Sequence, residues 1–153
     1  MKEHLVFMQE ALKEARSARD EGEVPVGAVV VHGARIIARG HNQIERLQDP
    51  TAHAEMLALT SAANYLGQKW LSGCTLYVTI EPCAMCAGAL VLARIRRVYF
   101  GAQDPKTGAC GSVVNIASHK GLNHRIAVTG GLLAQECGAL LSDFFKKKRI
   151  PKR

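Results

Sequence analysis

The chain has 153 residues, of which 48% are hydrophobic and 22% are charged, a balance typical of a globular protein and unlike that of a disordered one. This length suits one domain of ordinary size, so we expect residues 1–153 to form a single domain. The longest apolar runs are much shorter than the roughly 18 residues that a membrane span needs. Residues 3–10 carry polar side chains where a secretory signal would be apolar. We therefore expect no membrane partner and a cytoplasmic location.

Positive charge is concentrated at the C-terminus. The formal net charge is +7, and residues 146–153 supply six positive charges with no acid among them. A basic C-terminal tail of this kind raises affinity for phosphate-rich partners through counterion release, without adding sequence specificity. A solvated tail without any partner explains the composition equally well.

The first half of the chain predicts a helix and then a hairpin. Residues 3–21 carry apolar side chains at helical spacing, and Gly22 offers a stop. Residues 24–31 are rich in valine, and a turn signal at 32–33 separates them from a second short strand. Pro25 and Gly27 indicate that the first strand is an edge strand or that a ligand approaches it closely.

The rest of the chain predicts a parallel crossover and a final helix. The elements expected in chain order are a helix over 52–66, a strand over 75–79, a helix over 82–93, a strand over 97–100, a strand over 125–128 and a helix over 132–148. A strand, helix, strand order is typical of parallel pairing. We therefore predict a three-layer α/β fold, with helices on a mixed five-strand sheet that begins with a hairpin.

Two short motifs at predicted helix starts carry the chemistry: H-A-E at residues 53–55 and P-C-A-M-C at residues 82–86. Residues three apart on a helix share a face, so Cys83 and Cys86 can direct both sulfurs at one ion. A helix N-terminus also favours the thiolate form that zinc requires. With the imidazole of His53, these thiolates make three ligands for a metal.

The carboxylate of Glu55 distinguishes a catalytic site from a structural one. A structural zinc site closes with four protein ligands, whereas a catalytic site leaves one position for water. Glu55 is two residues from His53, so its side chain diverges from the ligand around the helix start. We predict that Glu55 stands beside the metal and transfers protons.

H-x-E followed by P-C-x-x-C resembles the signature of the zinc deaminases. The chain is also similar, over almost its whole length, to the bacterial tRNA adenosine deaminases. The similar segments are VPVGA at 24–28, GHN at 40–42, DPTAHAE at 49–55, GAQDPKTGA at 101–109, NHR at 123–125 and LLSDFF at 140–145. This resemblance implies a cytidine deaminase-like fold, one Zn²⁺ per subunit, and conversion of the wobble adenosine of an arginine tRNA anticodon to inosine.

The same resemblance implies partners and substrate contacts. It implies a homodimer that binds a tRNA anticodon stem-loop. The expected contacts are a hydrogen bond from Asn42 to the purine ring, the Pro82 carbonyl and the Ala54 N–H facing the base, and Val26 and Asp104 shaping the cleft. For Asn42, a turn residue after a strand is the alternative interpretation.

Two other functions are compatible with the motifs. The first is a deaminase of the same fold that acts on a free base or nucleotide, such as cytosine, guanine or deoxycytidylate. The second is a non-catalytic zinc module that binds nucleic acid, with Cys110 or Cys74 as a fourth ligand. The second alternative leaves Glu55 without a role.

Overall fold

The computed structural model describes residues 2–149 and centres on a five-stranded sheet. The helices are α1 (Lys2–Asp20), α2 (Ile44–Leu47), α3 (Ala54–Leu66), α4 (Ala84–Leu92) and α5 (Ala134–Arg149); the strands are β1 (Gly27–His32), β2 (Arg35–His41), β3 (Cys74–Ile80), β4 (Arg97–Ala102) and β5 (Ala127–Thr129). The strand order across the sheet is β2-β1-β3-β4-β5. β1 pairs antiparallel with both β2 and β3, whereas β3, β4 and β5 run parallel. The predicted hairpin and parallel crossover are confirmed.

Helices cover both faces of the sheet, and alternation along the strands supplies a core for each face. In β1, Ala28 and Val30 belong to the core shared with α3 and α4, and Val29 and Val31 belong to the core shared with α1 and α5. All four side chains are buried. The predicted three-layer fold is therefore confirmed, with α3 and α4 in one outer layer and α1 and α5 in the other.

The expectation that β1 is an edge strand is wrong, whereas the alternative, close approach of a ligand, stays a prediction. β1 lies between β2 and β3, and Pro25 precedes the strand without taking part in it. Gly27 is approached by α1, because a Cβ there would overlap the carbonyl of Ala11 and the amide of Ala15. The glycine lets a helix pack directly on the sheet.

Some helices and strands begin or end at residues other than the predicted ones. β1 begins at Gly27 because the Val26 N–H donates to the Val24 carbonyl at 2.8 Å, which makes residues 24–26 a tight turn. The four-residue helix α2 was not predicted. Of the predicted basic tail 146–153, residues 146–149 complete α5, and residues 150–153 lie outside the described part of the chain.

Within residues 2–149, every helix is too short or too polar to span a lipid bilayer.

Candidate active site

Two helix N-termini converge to position the predicted metal ligands. His53 is the N-cap of α3 and Cys83 is the N-cap of α4, each in an extended conformation, while Cys86 lies in the first turn of α4. Neither cap residue uses its side chain to cap its own helix. The imidazole and the thiols are therefore available to each other.

The three donor atoms are spaced as a tetrahedral metal site requires. The Nδ1 atom of His53 lies 3.7 Å from Sγ of Cys83 and 3.5 Å from Sγ of Cys86. Zn–N and Zn–S bonds of ordinary length, set at a tetrahedral angle, separate the two ligand atoms by about 3.6 Å. Since all three donors also lie within 4.8 Å of one another, the residues fit a zinc ion.

The donor group has three members among the residues that the structure describes. Cys74 and Cys110 do not belong to the group of donors that lie within 4.8 Å of one another. A closed site with either cysteine as fourth ligand therefore has no support between residues 2 and 149. The arrangement leaves one coordination position for a non-protein ligand, as in catalytic zinc sites.

The thiols of the two ligand cysteines have pKa values shifted in opposite directions. Hydrogen bonds from Cys86 and then from His53 lower the pKa of the Cys83 thiol to about 4. The bond to Cys83, together with burial, raises the pKa of the Cys86 thiol. The hydrogen bond with Cys83 raises the pKa of His53, although burial opposes it. Cys83 is consequently a thiolate at neutral pH and can attract a cation.

Glu55 lies beside this group in a buried position. Only 3% of the residue is exposed, and it follows the metal-facing N-cap by two residues on α3. Burial raises the pKa of the Glu55 carboxyl to about 7. A carboxyl with a pKa near neutral pH can both accept and donate a proton during a reaction.

The predicted substrate contacts Asn42, Ala54 and Val26 are linked by hydrogen bonds; Asn42 and Val26 line one wall of a cleft, and Ala54 is fully buried. The Asn42 side-chain oxygen accepts the Ala54 N–H at 2.8 Å, and its backbone N–H donates to the Val26 carbonyl at 3.2 Å. The Ala54 N–H is therefore used within the protein. The Asn42 side-chain amide remains as the donor of this wall.

The predicted contact Pro82 is buried and is not among the residues that line the cleft. Its carbonyl accepts the Ala109 N–H at 2.8 Å and retains a second lone pair. Asp104 shapes its own loop, because its carboxylate accepts hydrogen bonds from the N–H groups of Lys106 and Thr107 and from the Thr107 hydroxyl. Burial opposes these bonds, yet they hold the pKa of Asp104 below its ordinary value.

The walls enclose a cleft of about 690 Å³ above the donor group. Six of the predicted site residues line it: Val26, Asn42, His53, Glu55, Cys83 and Asp104. The other wall residues include Lys106 and Thr107 of the Asp104 loop, and Leu141, Phe145 and Lys146 from the last turns of α5. The cleft thus has a buried polar floor and an open rim with two lysines.

Two buried carboxylates beside the cleft were not predicted. Glu81 and Glu23 are each 2% exposed. Glu23 accepts the N–H groups of Glu45 and Arg46, which holds α2 beside the cleft. For Glu81, the available signal was an acid at the end of an otherwise apolar strand, directly before the P-C-A-M-C motif.

Glu81 holds the opposite wall. It accepts hydrogen bonds from the N–H groups of Asp104, Cys110 and Ser112, and from the Ser112 hydroxyl. Burial alone would raise the pKa of this carboxyl, but the hydrogen bonds keep it below its ordinary value. Glu81 is therefore a buried anion stabilised by the loop that it contacts.

The fold and the site together define a hydrolytic deaminase with a cytidine deaminase-like architecture. The family model of the MafB19-like deaminases matches residues 2–149 of this chain. A tRNA-specific adenosine deaminase of Bacillus subtilis is 50% identical over 148 residues, which is 97% of this chain and 92% of the relative. One of Aquifex aeolicus is 52% identical over 143 residues, 94% of each chain.

Solved structures agree with these relatives. A structure from a study of A-to-I editing by tRNA deaminases at the wobble position of transfer RNA has a TM-score of 0.85 and 50% identity, covering 88% of this chain and 98% of the other. A guanine deaminase from Nitrosomonas europaea has a TM-score of 0.79 and 28% identity, covering 92% and 83%. The chain belongs to the MafB19-like deaminases and, within them, to the tRNA-specific adenosine deaminase family.

Proposed function

We propose that this protein hydrolyses the wobble adenosine of a tRNA anticodon, with arginine tRNA as a substrate, to inosine and ammonia. The observation that carries the proposal is the buried Glu55 beside the His53, Cys83 and Cys86 donors at the floor of one cleft. Relatives named tRNA-specific adenosine deaminase that are half identical over nearly the whole chain support the choice of substrate.

We assign the three donors to one Zn²⁺ per subunit. His53 binds through Nδ1, and Cys83 and Cys86 bind through sulfur. When bound, zinc supplies the Lewis acidity that makes water a nucleophile at neutral pH. The spacing of the donors and the low pKa of Cys83 support this assignment.

Glu55 is the catalytic acid and base in this proposal. Its carboxylate takes a proton from the attacking water and gives it to N1 of adenine. It then transfers the second proton of the water to the amino group that leaves C6 as ammonia. The pKa of about 7 at Glu55 suits both steps, since neither protonation state is strongly favoured at neutral pH.

The two walls bind the flipped base. We propose that the side-chain NH₂ group of Asn42 donates a hydrogen bond to the purine ring. This group remains free because the Ala54 N–H donates to the side-chain oxygen of Asn42. The Pro82 carbonyl accepts the amino group of adenine. Val26 contacts the base, and the Asp104 loop contacts the neighbouring nucleotides, because both line the cleft beside Glu55.

Residues 1–153 act as a single deaminase domain in this proposal, with the basic residues 146–153 attracting the RNA backbone. Lys146 is the part of this segment that the structure places at the cleft, where it lines the rim with Lys106. A tRNA substrate also places the reaction in the cytoplasm.

A homodimer would supply the additional surface that an anticodon stem-loop needs. Trp70, Leu92 and Leu122 line a shallow groove at the end of α4 and are 47%, 80% and 42% exposed. Apolar side chains grouped in this way are typical of protein interfaces. We propose that a second copy covers them; sedimentation that finds only monomers at working concentration would reject the dimer.

Base-resolved inosine mapping tests the proposed function directly. The protein is incubated with arginine tRNA, with free adenosine and with free guanine, and the released ammonia is measured in parallel. Inosine confined to the wobble position supports the proposal. The guanine deaminase of Nitrosomonas europaea shares the fold at 28% identity. If guanine releases ammonia and no inosine forms in tRNA, the substrate is a free base and the proposal is wrong.

A further inference from the structure

Glu81 lies outside the donor group but lines the same cleft. It is 2% exposed and follows the last residue of β3. Among residues 2–149, no lysine, arginine or histidine side chain pairs with it. An unpaired buried carboxylate is costly unless hydrogen bonds compensate it. All of its compensation comes from the loop between β4 and β5.

The hydrogen bonds to Glu81 bracket the part of this loop that lines the cleft. One oxygen accepts the Asp104 N–H at 3.1 Å and the Ser112 hydroxyl, and the other accepts the Cys110 and Ser112 N–H groups at 3.0 and 3.1 Å. Residues 105–107, which line the cleft, lie between these anchors. A single side chain therefore ties both ends of the segment to the strand that leads into the metal ligands.

The segment packs so closely on the Glu81 carboxylate that position 108 has no room for a side chain. A Cβ at Gly108 would overlap both the Glu81 carboxyl group and the Asp104 carbonyl. Gly108 also forms an isolated antiparallel bridge with Cys83, and the Ala109 N–H donates to the Pro82 carbonyl. The loop therefore contacts each of residues 81, 82 and 83.

We propose that Glu81 is a positioning residue that holds residues 104–112 in the conformation required to bind the RNA on the rim of the cleft. This inference rests on the proposed tRNA substrate. Glu81 acts through the loop, since both of its carboxylate oxygens already accept hydrogen bonds from loop residues. It therefore controls RNA affinity more than the chemical step.

A glutamine at this position would break the arrangement without changing its size. A carboxylate only accepts hydrogen bonds, whereas an amide replaces one acceptor with an NH₂ donor. In Glu81→Gln, the NH₂ group of the amide takes the place of one oxygen, so the N–H groups that faced this oxygen lose their acceptor. Ser112→Ala is a milder variant, because it removes only the hydroxyl donor.

The test compares kcat and KM for inosine formation in an anticodon stem-loop. We expect Glu81→Gln to raise KM about tenfold, as the loss of a charge-assisted hydrogen bond predicts, and to leave kcat and zinc content within about threefold. Ser112→Ala should raise KM less. A fall in kcat with unchanged KM, or equal kinetics in wild type and variant, would overturn the proposal.

Amide hydrogen exchange separates this proposal from the proposed function. We expect Glu81→Gln to increase exchange at 104–112, while Glu23→Gln, a matched buried carboxylate, increases exchange at 44–47. If wild type forms no inosine in RNA, the proposed substrate fails, and exchange still reports on the anchor. Unchanged exchange at 104–112 in Glu81→Gln would overturn the anchoring role whatever the substrate.

Discussion

The floor and the rim of the cleft are built in different ways. The floor consists of His53, Glu55, Cys83 and Cys86, all on the first residues of two helices, with Glu55 and Cys86 fully buried. The rim consists of the Asp104 loop, Pro105 to Thr107 included, and the end of α5 around Phe145 and Lys146, which are mostly exposed. The metal donors and Glu55 therefore lie on regular structure, whereas the rim includes a loop that is anchored by Glu81.

We therefore expect substitutions in the floor and in the rim to have separate effects. The floor presents groups whose protonation and spacing suit one reaction, so substitutions there should change kcat or metal content. The rim presents exposed cations and apolar side chains, so substitutions there should change the affinity for RNA. The following predictions test this separation from the largest expected effect to the smallest.

Substitution of the floor carboxylate should have the largest effect. We expect Glu55→Ala to lower kcat by about 10⁴-fold, the upper range for loss of a general acid and base, while zinc content stays at the wild-type level. Single-turnover inosine formation and metal analysis measure the two quantities. Glu10→Gln is the control, because Glu10 is a partly buried carboxylate that pairs with Lys13 and Arg39 away from the cleft. A near wild-type rate in Glu55→Ala would remove its assigned role.

Loss of a ligand should remove metal and activity together. We expect Cys83→Ala to copurify without zinc and to lose the rise in melting temperature that added zinc causes in wild type. The matched control is Cys110→Ala, because Cys110 is a nearby half-buried cysteine outside the donor group. Zinc loss in Cys110→Ala instead would support the four-ligand alternative.

The close packing of α1 on β1 predicts a change in stability without a change in metal binding. We expect Gly27→Ala to lower the free energy of unfolding by about 3 kcal/mol, since the added methyl group overlaps the α1 backbone. Gly88→Ala in α4, where a Cβ meets no atom within 4 Å, should instead raise stability by about 0.5–1 kcal/mol. Urea denaturation measures both, and similar effects in the two variants would contradict the packing argument.

The smallest effect is expected at the rim. Lys146→Ala should weaken RNA binding a few-fold and reduce the slope of log K against log salt concentration by about one unit, because one phosphate contact is lost. The kcat for the stem-loop should not change. An unchanged salt slope for the stem-loop would place the RNA elsewhere on the surface.

Much of the floor was predictable from the sequence because its geometry is local. The i, i+3 spacing of Cys83 and Cys86 and the position of both motifs at helix starts follow from a few neighbouring residues. The meeting of His53 with these cysteines is a long-range contact, and it was inferred from zinc chemistry and family resemblance instead of from spacing. The structure confirms that the three donors meet.

The errors lie where the partner of a residue is distant in the chain. Pro25 and Gly27 indicate an edge strand, yet β1 is interior and the close neighbour of Gly27 is a helix that begins 25 residues earlier. A glycine indicates close approach but does not identify what approaches. The role of Glu81 was missed for the same reason, because its partners lie 23 to 31 residues further along.

The properties that follow from the sequence are those that depend on neighbouring residues. They are the helix starts, the types of donor side chain, the acid two residues from His53, and the basic C-terminus. Only the tertiary structure decided that β1 is interior, that α1 covers Gly27, and that a buried Glu81 holds one wall of the cleft. The physical reason is that spacing along a helix fixes which side chains share a face, whereas burial and hydrogen-bond partners depend on segments that meet only after folding.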